Sequence, residues 1–420
     1  MALHVMDEAN RCLQCKVPQC RKGCPISTNI PEAIRLLKEN QLDEAGRMLF
    51  ENNPLTTVCS LVCDHEKQCE GHCVLGRKGA PVHFSTIENY ISSAYAHKMT
   101  RGPAPSNGMR VAIVGSGPAG ITIAIILARY GYKVTIFEIK DQIGGVLRYG
   151  IPEFRLPKSV LDDIQYRHLE MKGIQIRPNT TIGGAIGIDD LFRDGYKAIF
   201  IGTGVWNPNA LHIRGETLGN VHFGINYLNN PDSYKLGEQV IVIGAGNAAM
   251  DVARTALRKG VRKLTCFSLT RKVAASDYEY SYAKLEGVEF EFNKMPVEIQ
   301  DEGVIFRDMD EDEEGNLTEI PGTDRLYPSD SVIISISQGP KNRIVSTTEG
   351  LKANERGLLM ADETGHTSRP GIFASGDVVN GARTVVEAVA HSKIVAEAMH
   401  EYMQRLAKEK EKQPDTGNMS

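Results

Sequence analysis

The stretch 110–120 reads RVAIVGSGPAG and decides the fold of the central part of the chain. Four apolar residues run into the turn GSGPAG at 115–120, and an apolar helical pattern follows. A strand that ends in GxGxxG and opens a helix is typical of a dinucleotide-binding βαβ unit, because the glycines permit a tight turn and close approach to a pyrophosphate. The next predicted strand, 133–138, ends in Glu138, which is placed to accept hydrogen bonds from a ribose.

A second motif of the same kind begins at Gln239. A predicted strand at 239–243 runs into GAGNAA at 244–249, where alanine in the third glycine position is a permitted variant. The following strand, 263–268, ends without an acidic residue and leads to Arg271 and Lys272. A basic pair at this place favours a 2′-phosphate and hence NADPH over NADH, although an exposed turn would look the same.

The late segment GIFASGD, residues 371–377, ends a predicted strand in Gly376 and Asp377. Thr384 and Val385 then open a helix. An aspartate at a strand end can bind a ribityl hydroxyl, and the helix that follows points its N-terminus at the flavin ring. GxGxxG together with a late Gly-Asp is more specific for FAD than either alone, so we expect FAD at the first motif and NAD(P) at the second.

Eight of the nine cysteines lie in the first 73 residues, in two groups of four. The first group, spaced by two, four and three residues and followed by proline, resembles the ferredoxin style of ligation, in which three close cysteines hold one cubane and the cysteine before proline reaches its neighbour. Eight thiols match the ligand count of two [4Fe–4S] clusters. Zinc is the alternative, although zinc sites usually show paired CxxC spacings. The two groups are Cys12, Cys15, Cys20 and Cys24, and Cys59, Cys63, Cys69 and Cys73.

The order of these motifs predicts the domains. We expect an α/β protein with two Rossmann-like domains, preceded by an α-helical domain with two clusters. The Pro/Gly/Ser-rich stretch 100–108 is the predicted linker. Apolar strands at 197–202 and 331–336 are expected where the chain leaves and re-enters the FAD domain. The predicted bounds are 1–105 for the helical iron–sulfur domain, 106–205 with 331–405 for the FAD domain, 206–330 for the NAD(P) domain and 406–420 for a flexible tail.

Charge and hydropathy exclude other classes of protein. The formal net charge is −4 and the cationic residues are scattered, so no basic field for nucleic acid is expected. The longest apolar run, 121–128, is too short to cross a bilayer, and the first residues lack the apolar stretch of a signal peptide. We therefore expect a soluble, cytoplasmic protein without a membrane span, whose thiols stay reduced.

The sequence resembles the small (beta) subunit of bacterial glutamate synthase, the transhydrogenase flavoprotein subunit and the N-terminal part of dihydropyrimidine dehydrogenase. The resemblance covers roughly residues 9–400. It is carried by RCLQCKVPQCRKGCP at 11–25, VCSLVCDHEKQCEGHC at 58–73, GGVLRYGIPEFRLPK at 144–158 and GAGNAAMD at 244–251.

The resemblance implies a crossed set of cluster ligands. Glu88 would complete the second cluster and Cys59 would be a spare thiol, whereas spacing alone favours Cys59. The implied sets are Cys12, Cys15, Cys20 and Cys73 for one cluster and Cys24, Cys63, Cys69 and Glu88 for the other.

The resemblance also implies that the segment 144–158 passes the isoalloxazine of FAD. Two departures stand out: Ser268-Leu269-Thr270 precedes Arg271 where NADPH-using relatives carry an Arg-Arg pair, and the family's Ala-Ile-Gly-Gln turn is replaced at 335–339. The full set of predicted contacts is Gly115, Gly117, Pro118, Ala119, Gly120, Glu138, Gly145, Leu147, Arg148, Gly376, Asp377, Thr384 and Val385 for FAD, and Gly244, Gly246, Asn247, Ala248, Asp251, Arg271 and Lys272 for NAD(P).

These features predict an iron–sulfur flavoprotein oxidoreductase that passes electrons between NAD(P)H and a partner redox subunit through FAD and two clusters. Hydride transfer between the cofactors requires no catalytic side chain. The partner is expected to be a glutamate synthase large subunit, a pyrimidine reductase, a hydrogenase, a bifurcating module or ferredoxin; the sequence does not choose among them. Three alternatives stay open: a self-sufficient ferredoxin–NAD(P) reductase, a zinc-stabilised FAD reductase without clusters, and a non-catalytic assembly protein.

Overall fold

A computed structural model describes residues 2–98 and 102–412 of the 420-residue chain. The described residues form two compact units. The first comprises those within Met1–Leu147, Arg155–Val205 and Pro340–Ser420, and the second comprises Arg148–Phe154 and Trp206–Gly339. Of the predicted linker at 100–108, Thr100 and Arg101 lie outside the described residues.

In the N-terminal part of the first unit, the regular elements among the described residues are helices joined by loops. Its core contains the fully buried Ile34, Leu49, Ile87 and Ile91. The apolar spacing of Ile34, Leu36, Leu37 and Leu42 predicts one helix over 28–53. The structure has two helices there, because Asn40 adopts a left-handed conformation with φ of 59° that ends the first of them. The helices are α1 Ala2–Asn10, α2 Gln19–Gly23, α3 Ile30–Lys38, α4 Leu42–Asn52, α5 Thr56–Val62 and α6 Phe84–Ala96.

A five-stranded parallel sheet forms the centre of the rest of the first unit, in the order β16-β4-β1-β2-β3. Its strands read as apolar runs because helices cover both faces of such sheets. The strands are β1 Arg110–Val114, β2 Lys133–Phe137, β3 Gln175–Arg177, β4 Tyr196–Ile201 and β16 Ile372–Ala374.

Two long helices pack against each other beside this sheet, α7 Pro118–Arg129 and α16 Val385–Lys412. The tail predicted to be flexible from 406 is therefore helical as far as 412, and 413–420 lie outside the described residues. Among the helices that the structure describes, none is long and apolar enough to cross a membrane. The shorter helices are α8 Val146–Tyr149, α9 Lys158–Asp163, which continues as a π-helical turn over Ile164–Leu169, α10 Ile188–Arg193, α14 Arg343–Ser346 and α15 Asp377–Asn380.

The second unit contains its own five-stranded parallel sheet, in the order β6-β14-β7-β8-β9. The strand predicted to re-enter the FAD domain at 331 pairs instead with strands of this sheet, so that prediction is wrong and the chain returns to the first unit at Pro340. The strands are β6 Val221–Phe223, β7 Gln239–Ile243, β8 Lys263–Phe267, β9 Glu289–Glu291 and β14 Ser331–Ile334. The helices are α11 Gly224–Asn229, α12 Asn247–Arg258 and α13 Asp277–Leu285.

Antiparallel strands complete the second unit. The acidic run at 308–314 predicts a solvated loop, because it contains six carboxylates among its seven residues. The structure corrects this prediction: the run begins inside a strand, and the chain turns only after Glu311. The strands are β10 Lys294–Gln300, β11 Gly303–Glu311, β12 Leu317–Glu319 and β13 Arg325–Pro328, and a separate pair consists of β5 Asn207–Pro208 and β15 Gln338–Gly339.

Candidate cofactor sites

The first glycine-rich turn connects β1 to α7. Gly115 has φ of +99°, and a Cβ there would lie 2.6 Å from the carbonyl oxygen of Gly202; one at Gly120 would lie 2.0 Å from the oxygen of Gly115. At the end of β2, buried Glu138 accepts hydrogen bonds from the Ser116 N–H (2.9 Å) and hydroxyl (2.5 Å). The carboxylate predicted to meet a ribose thus also holds the turn in shape, a role that sequence reasoning missed.

The middle glycine of this turn, Gly117, differs from Gly115 and Gly120, because neither its backbone conformation nor a neighbouring atom of the protein requires glycine there. Gly117 has an ordinary φ of −71°, and a Cβ there would meet no atom within 4 Å. It is the N-cap of α7, where free N–H groups and the helix dipole favour an anion. Gly145, with φ of +52°, faces it, and its Cβ would lie 2.9 Å from the Gly117 Cα. Backbone kept bare at a helix N-terminus fits the pyrophosphate of a dinucleotide.

The predicted Gly-Asp pair lies beside the same turn. Gly376, with φ of +77°, would place a Cβ 3.1 Å from the Cβ of Ala119 in the first turn of α7. Asp377 follows it, and burial raises the pKa of its carboxyl group to about 6. One oxygen of Asp377 accepts the Arg383 N–H at 3.3 Å. The structure therefore brings together predicted FAD contacts that are more than 200 residues apart in the sequence.

Thr384 starts α16 as an N-cap. Its N–H and hydroxyl both donate to the Glu387 carboxylate, at 3.0 and 2.6 Å. The helix thus begins a few residues after Asp377, as expected. Two other predicted FAD contacts, Leu147 and Arg148, have different surroundings. The Leu147 side chain is fully buried, and Arg148 belongs to the segment assigned to the second unit.

The second glycine-rich turn, between β7 and α12, repeats the pattern of the first. Gly244 has φ of +129°, and a Cβ there would lie 2.2 Å from the Ser335 carbonyl oxygen. Gly246, the N-cap of α12, has φ of −87°, and its Cβ would meet nothing within 4 Å. This turn also keeps open space at a helix N-terminus. The Asn247 side chain accepts the Ser276 N–H at 2.9 Å.

The remaining predicted NAD(P) contacts lie around this turn. Ala248 is half-buried and Asp251 is buried on α12.

The basic pair predicted to select a 2′-phosphate has acidic neighbours. The Arg271 N–H donates to the Glu311 carboxylate at 2.6 Å, and its guanidinium bonds the Glu311 carbonyl oxygen and lies 3.8 Å from the Asp310 carboxylate. Lys272 is exposed. Because β11 supplies carboxylates here, a phosphate would compete with them for Arg271. Sequence reasoning missed this contact, since the acidic run had been assigned to a loop.

The structure brings together the four cysteines of the first predicted ligand set, Cys12, Cys15, Cys20 and Cys73. Burial raises the pKa of the Cys20 thiol to about 11, and the neighbouring Cys73, Cys12 and Cys15 raise it further. Cys12, Cys15, Cys20 and Cys73 line one small cavity in the helical part of the first unit, and Cys69 lines it as well. Cys73 thus joins three cysteines that precede it by more than 50 residues. Thiols gathered around one cavity are the soft donors that an iron–sulfur cluster requires.

The second group surrounds Glu88 on α6. A hydrogen bond with Cys59, followed by burial, raises the pKa of the Cys63 thiol, and Glu88 and Cys69 also contribute. Burial raises the pKa of the Cys69 thiol, followed by the charges of Glu88, Glu70 and Cys24. Cys24, Cys63, Cys69 and Glu88 are thus neighbours, but Cys59 adjoins them as well.

Glu88 itself is buried and has one hydrogen-bond partner on α5. The Thr56 hydroxyl donates to its Oε1 at 2.6 Å, and burial raises the pKa of the carboxyl group to about 7. Glu88 and Cys59 both stay candidates for the fourth ligand. In the described part of the chain, no three Cys, His, Asp or Glu side chains are arranged to hold a single metal ion.

Comparisons with known proteins define the class. Residues 109–392 match the family described as pyridine nucleotide-disulphide oxidoreductase, and residues 2–100 match dihydropyrimidine dehydrogenase domain II, 4Fe-4S cluster. Among solved structures, FprA from Mycobacterium tuberculosis in complex with NADPH has a TM-score of 0.61 at 17% identity, covering 73% of this chain and 86% of that one. Thioredoxin reductase from Lactococcus lactis has a TM-score of 0.55 at 23% identity, covering 71% and 99%. Both show the fold alone.

Curated relatives match over nearly the whole length. The glutamate synthase [NADPH] small chain of Escherichia coli is 32% identical, covering 94% of this chain and 91% of that protein. The NAD-dependent dihydropyrimidine dehydrogenase subunit PreT of Salmonella typhimurium is 30% identical, covering 96% and 95%. The NADP(+)-dependent formate dehydrogenase subunit beta of Moorella thermoacetica is 32% identical, covering 92% and 60%.

Fold, cysteine sites and matches together define an iron–sulfur flavoprotein oxidoreductase that uses NAD(P)H. The chain belongs to the pyridine nucleotide-disulphide oxidoreductase family, and within it to the iron–sulfur group that contains the glutamate synthase small chains. The predicted class, fold and cofactors are thereby confirmed. The individual site residues and the domain limits other than those corrected above stay predictions.

Proposed function

We propose that this chain is the electron-transfer subunit of a larger enzyme and connects NAD(P)H to a redox centre in a partner subunit. One observation carries the proposal. Helix α16 begins beside the predicted FAD contacts and, nine residues into its length, Lys393 donates to the carbonyl oxygen (2.8 Å) and the side-chain oxygen (2.7 Å) of Asn52. Asn52 ends α4 in the cysteine-bearing part of the first unit.

The contact continues to a predicted cluster ligand. The Asn52 amide donates to the Thr28 hydroxyl at 3.1 Å, and the Cys24 thiol donates to the same oxygen at 3.4 Å. Helix α5, which carries Cys59 and is followed by Cys63, also packs against α16. The second predicted ligand set, Cys24, Cys63, Cys69 and Glu88, therefore adjoins the helix that starts at the FAD contacts, which supports electron passage between the two sites.

Each cofactor would be held by a different part of the chain. The turn at 115–120, with Gly145, Gly376 and Asp377, would hold FAD, and the turn at 244–249 would hold NAD(P)H. FAD accepts a hydride as an electron pair and can release the electrons one at a time. The chain's own residues orient the cofactors and exclude water, and we assign no acid or base to any side chain.

The partner is proposed from the relatives. Two of them are named as subunits and a third as a small chain, and those names mention glutamate synthase, dihydropyrimidine dehydrogenase and formate dehydrogenase. We propose that this chain likewise has a partner that carries the terminal acceptor. We further propose that it works in the cytoplasm, where cysteine ligands stay reduced.

The test is anaerobic purification from the native source. We expect about eight iron atoms per chain, by the stoichiometry of two cubanes, one FAD that NAD(P)H bleaches, and a copurifying redox subunit. Stoichiometric zinc with negligible iron, or a flavin that neither NADH nor NADPH reduces, contradicts the proposal. Full turnover of ferredoxin by the isolated chain would support a self-sufficient reductase instead.

A further inference from the structure

The segments around the first cysteine group carry only positive charge. No Asp or Glu occurs in residues 9–31 or in residues 71–87, whereas the chain as a whole has a net charge of −4. Five exposed cations lie there, and none of them forms an ion pair within the described residues. We call these five, together with the exposed Leu13 and Val17, the basic surface. Its cations are Lys16, Arg21, Lys22, Arg77 and Lys78.

The cations of the basic surface are next to the predicted ligands in sequence. Lys16 follows Cys15, and Arg21 and Lys22 follow Cys20. Arg77 ends the short helix after Cys73, and Lys78 comes directly after that helix. The two segments touch, since the Arg11 guanidinium bonds the carbonyl oxygens of Pro81 (3.0 Å) and Ala80 (2.5 Å). The two segments that carry the positive charges are therefore in contact with each other.

The carboxylates that directly precede the two positively charged segments, Glu8 and Glu70, do not neutralise this surface. Glu8 is 6% exposed, pairs with Arg11 at 2.6 Å and accepts the His83 N–H. Glu70 is 7% exposed and accepts the Ser85 N–H at 2.8 Å and a contact from His83 at 3.1 Å. Both carboxylates point into the protein.

Two exposed apolar side chains, Leu13 and Val17, lie on either side of Lys16 in the sequence. Leu13 is 61% exposed and Val17 is 60% exposed, in the loop that carries Cys12 and Cys15. Exposed apolar residues with a charged rim are the pattern of a protein interface, in which the rim steers the partner and the centre excludes water.

The two predicted ligand sets have different neighbours. The set of Cys24, Cys63, Cys69 and Glu88 adjoins α16 through Thr28 and Asn52, whereas Leu13 of the basic surface lines the cavity of Cys12, Cys15, Cys20 and Cys73. We propose that the basic surface is the place where electrons leave or enter the chain, and that it docks an acidic face of a protein carrying a one-electron acceptor. This inference rests on the proposed function and names its interaction surface.

The test compares two protein acceptors of opposite charge under anaerobic conditions: rubredoxin, which is small and acidic, and cytochrome c, which is basic. Each NAD(P)H supplies two electrons, so it reduces two ferric acceptors to the ferrous state and releases one proton. We expect kcat/KM for rubredoxin to exceed that for cytochrome c at low salt. It should fall about tenfold or more as salt rises to ~0.3 M, because exposed charges are then screened.

The decisive variant is Arg77→Glu/Lys78→Glu. These two cations are several residues from Cys73, whereas the other three adjoin predicted ligands in the sequence. This variant should lower kcat/KM for rubredoxin about tenfold and raise it for cytochrome c. The matched control is Lys235→Glu/Lys352→Glu, which reverses two exposed lysines elsewhere and should leave both rates unchanged. Iron content and bleaching of FAD by NAD(P)H must match wild type in all variants.

The outcomes separate the two proposals. If NAD(P)H still bleaches FAD but neither acceptor responds to charge reversal, the docking surface is wrong and the proposed function stands. If FAD is not bleached even in wild type, the proposed function itself fails. If the variant changes only the oligomeric state measured by light scattering, the surface binds a second copy of this chain, and the docking proposal is overturned.

Discussion

Gly145 approaches Gly117 so closely that a Cβ on Gly145 would lie 2.9 Å from the Gly117 Cα. The two residues come from the segment 144–158 and from the N-cap of α7, and both leave backbone exposed at a helix N-terminus. Nothing in the protein itself occupies the space that a side chain on Gly117 would take. The glycine at position 117 is therefore better explained by a bound group than by the geometry of the chain.

Replacement of Gly117 by Ala should leave the fold intact and weaken FAD binding. The new methyl group is compatible with φ of −71° but would displace the pyrophosphate, at a cost of about 1–3 kcal/mol, or roughly tenfold to a hundredfold in affinity. FAD content after gel filtration and the circular dichroism spectrum measure the two effects. The matched variant Gly246→Ala should keep FAD and raise the Kd for NAD(P)H instead. Equal FAD loss in both variants would contradict the assignment of the two turns.

The fourth ligand of the second cluster is the next prediction. Glu88→Ala should lose or perturb one cluster, because it removes a buried carboxylate that lies beside Cys63 and Cys69. Cys59→Ala should retain both clusters. Iron content and the EPR spectrum of the reduced protein report the number of clusters. If Cys59→Ala loses iron and Glu88→Ala does not, the set of ligands is all cysteine.

Nucleotide preference should depend on Arg271. A charge-assisted hydrogen bond contributes about 1.5–3 kcal/mol, so Arg271→Ala should weaken NADPH binding on the order of tenfold or more and affect NADH little. Glu311→Gln should act in the opposite direction, since it removes a carboxylate that accepts from Arg271. Titration of flavin reduction with both nucleotides measures the ratio. A wild-type preference for NADH that neither variant alters would make Arg271 a structural residue of the β8–β11 contact.

Lys393 should stabilise the first unit. In Lys393→Met the carbonyl and side-chain oxygens of Asn52 lose a charged donor, which should lower the free energy of unfolding by about 1.5–3 kcal/mol. Lys408→Met, an exposed lysine on the same helix, is the control and should change it little. Denaturant unfolding at constant cofactor content measures both. Similar midpoints for the two variants would show that the Lys393 contact adds nothing to stability.

Acid should destabilise the protein partly through His168. Its ring lies 4.9 Å from that of Phe50, and burial, followed by the charge of Arg129, lowers the pKa of His168 to about 4. Because the pKa is near 6.5 in the unfolded chain, only the unfolded state gains a proton below that pH, and stability falls until about pH 4.

Between pH 7.5 and 5.5 this effect amounts to about 1–2 kcal/mol. His168→Phe should therefore lose less stability over this interval than wild type, as measured by urea unfolding at both pH values. The exposed His97 provides the control His97→Phe, which should behave as wild type does. An unchanged pH dependence in His168→Phe would mean that other groups control the loss.

The sequence alone determined the class of this protein, because its signals are local. A GxGxxG turn is specified by the steric needs of adjacent residues, as at Gly115 and Gly120, and it brings its strand and helix with it. The cysteine groups likewise indicate iron–sulfur clusters, because they supply thiols in the number that two clusters require. The assignment of Cys73 to the first cluster and of Glu88 to the second came from resemblance to a family, since spacing by itself favoured Cys59 over Glu88.

Only the tertiary structure decided which distant residues meet. The apolar strand Ser331–Ile334 would fit either sheet by composition, and its register with β6 and β7 assigned it to the second unit. The pairing of Arg271 with Glu311 and of Lys393 with Asn52 joins positions 40 and 341 residues apart. Such contacts depend on how whole elements pack, and the energy of a single pair is too small to mark its partner in the sequence.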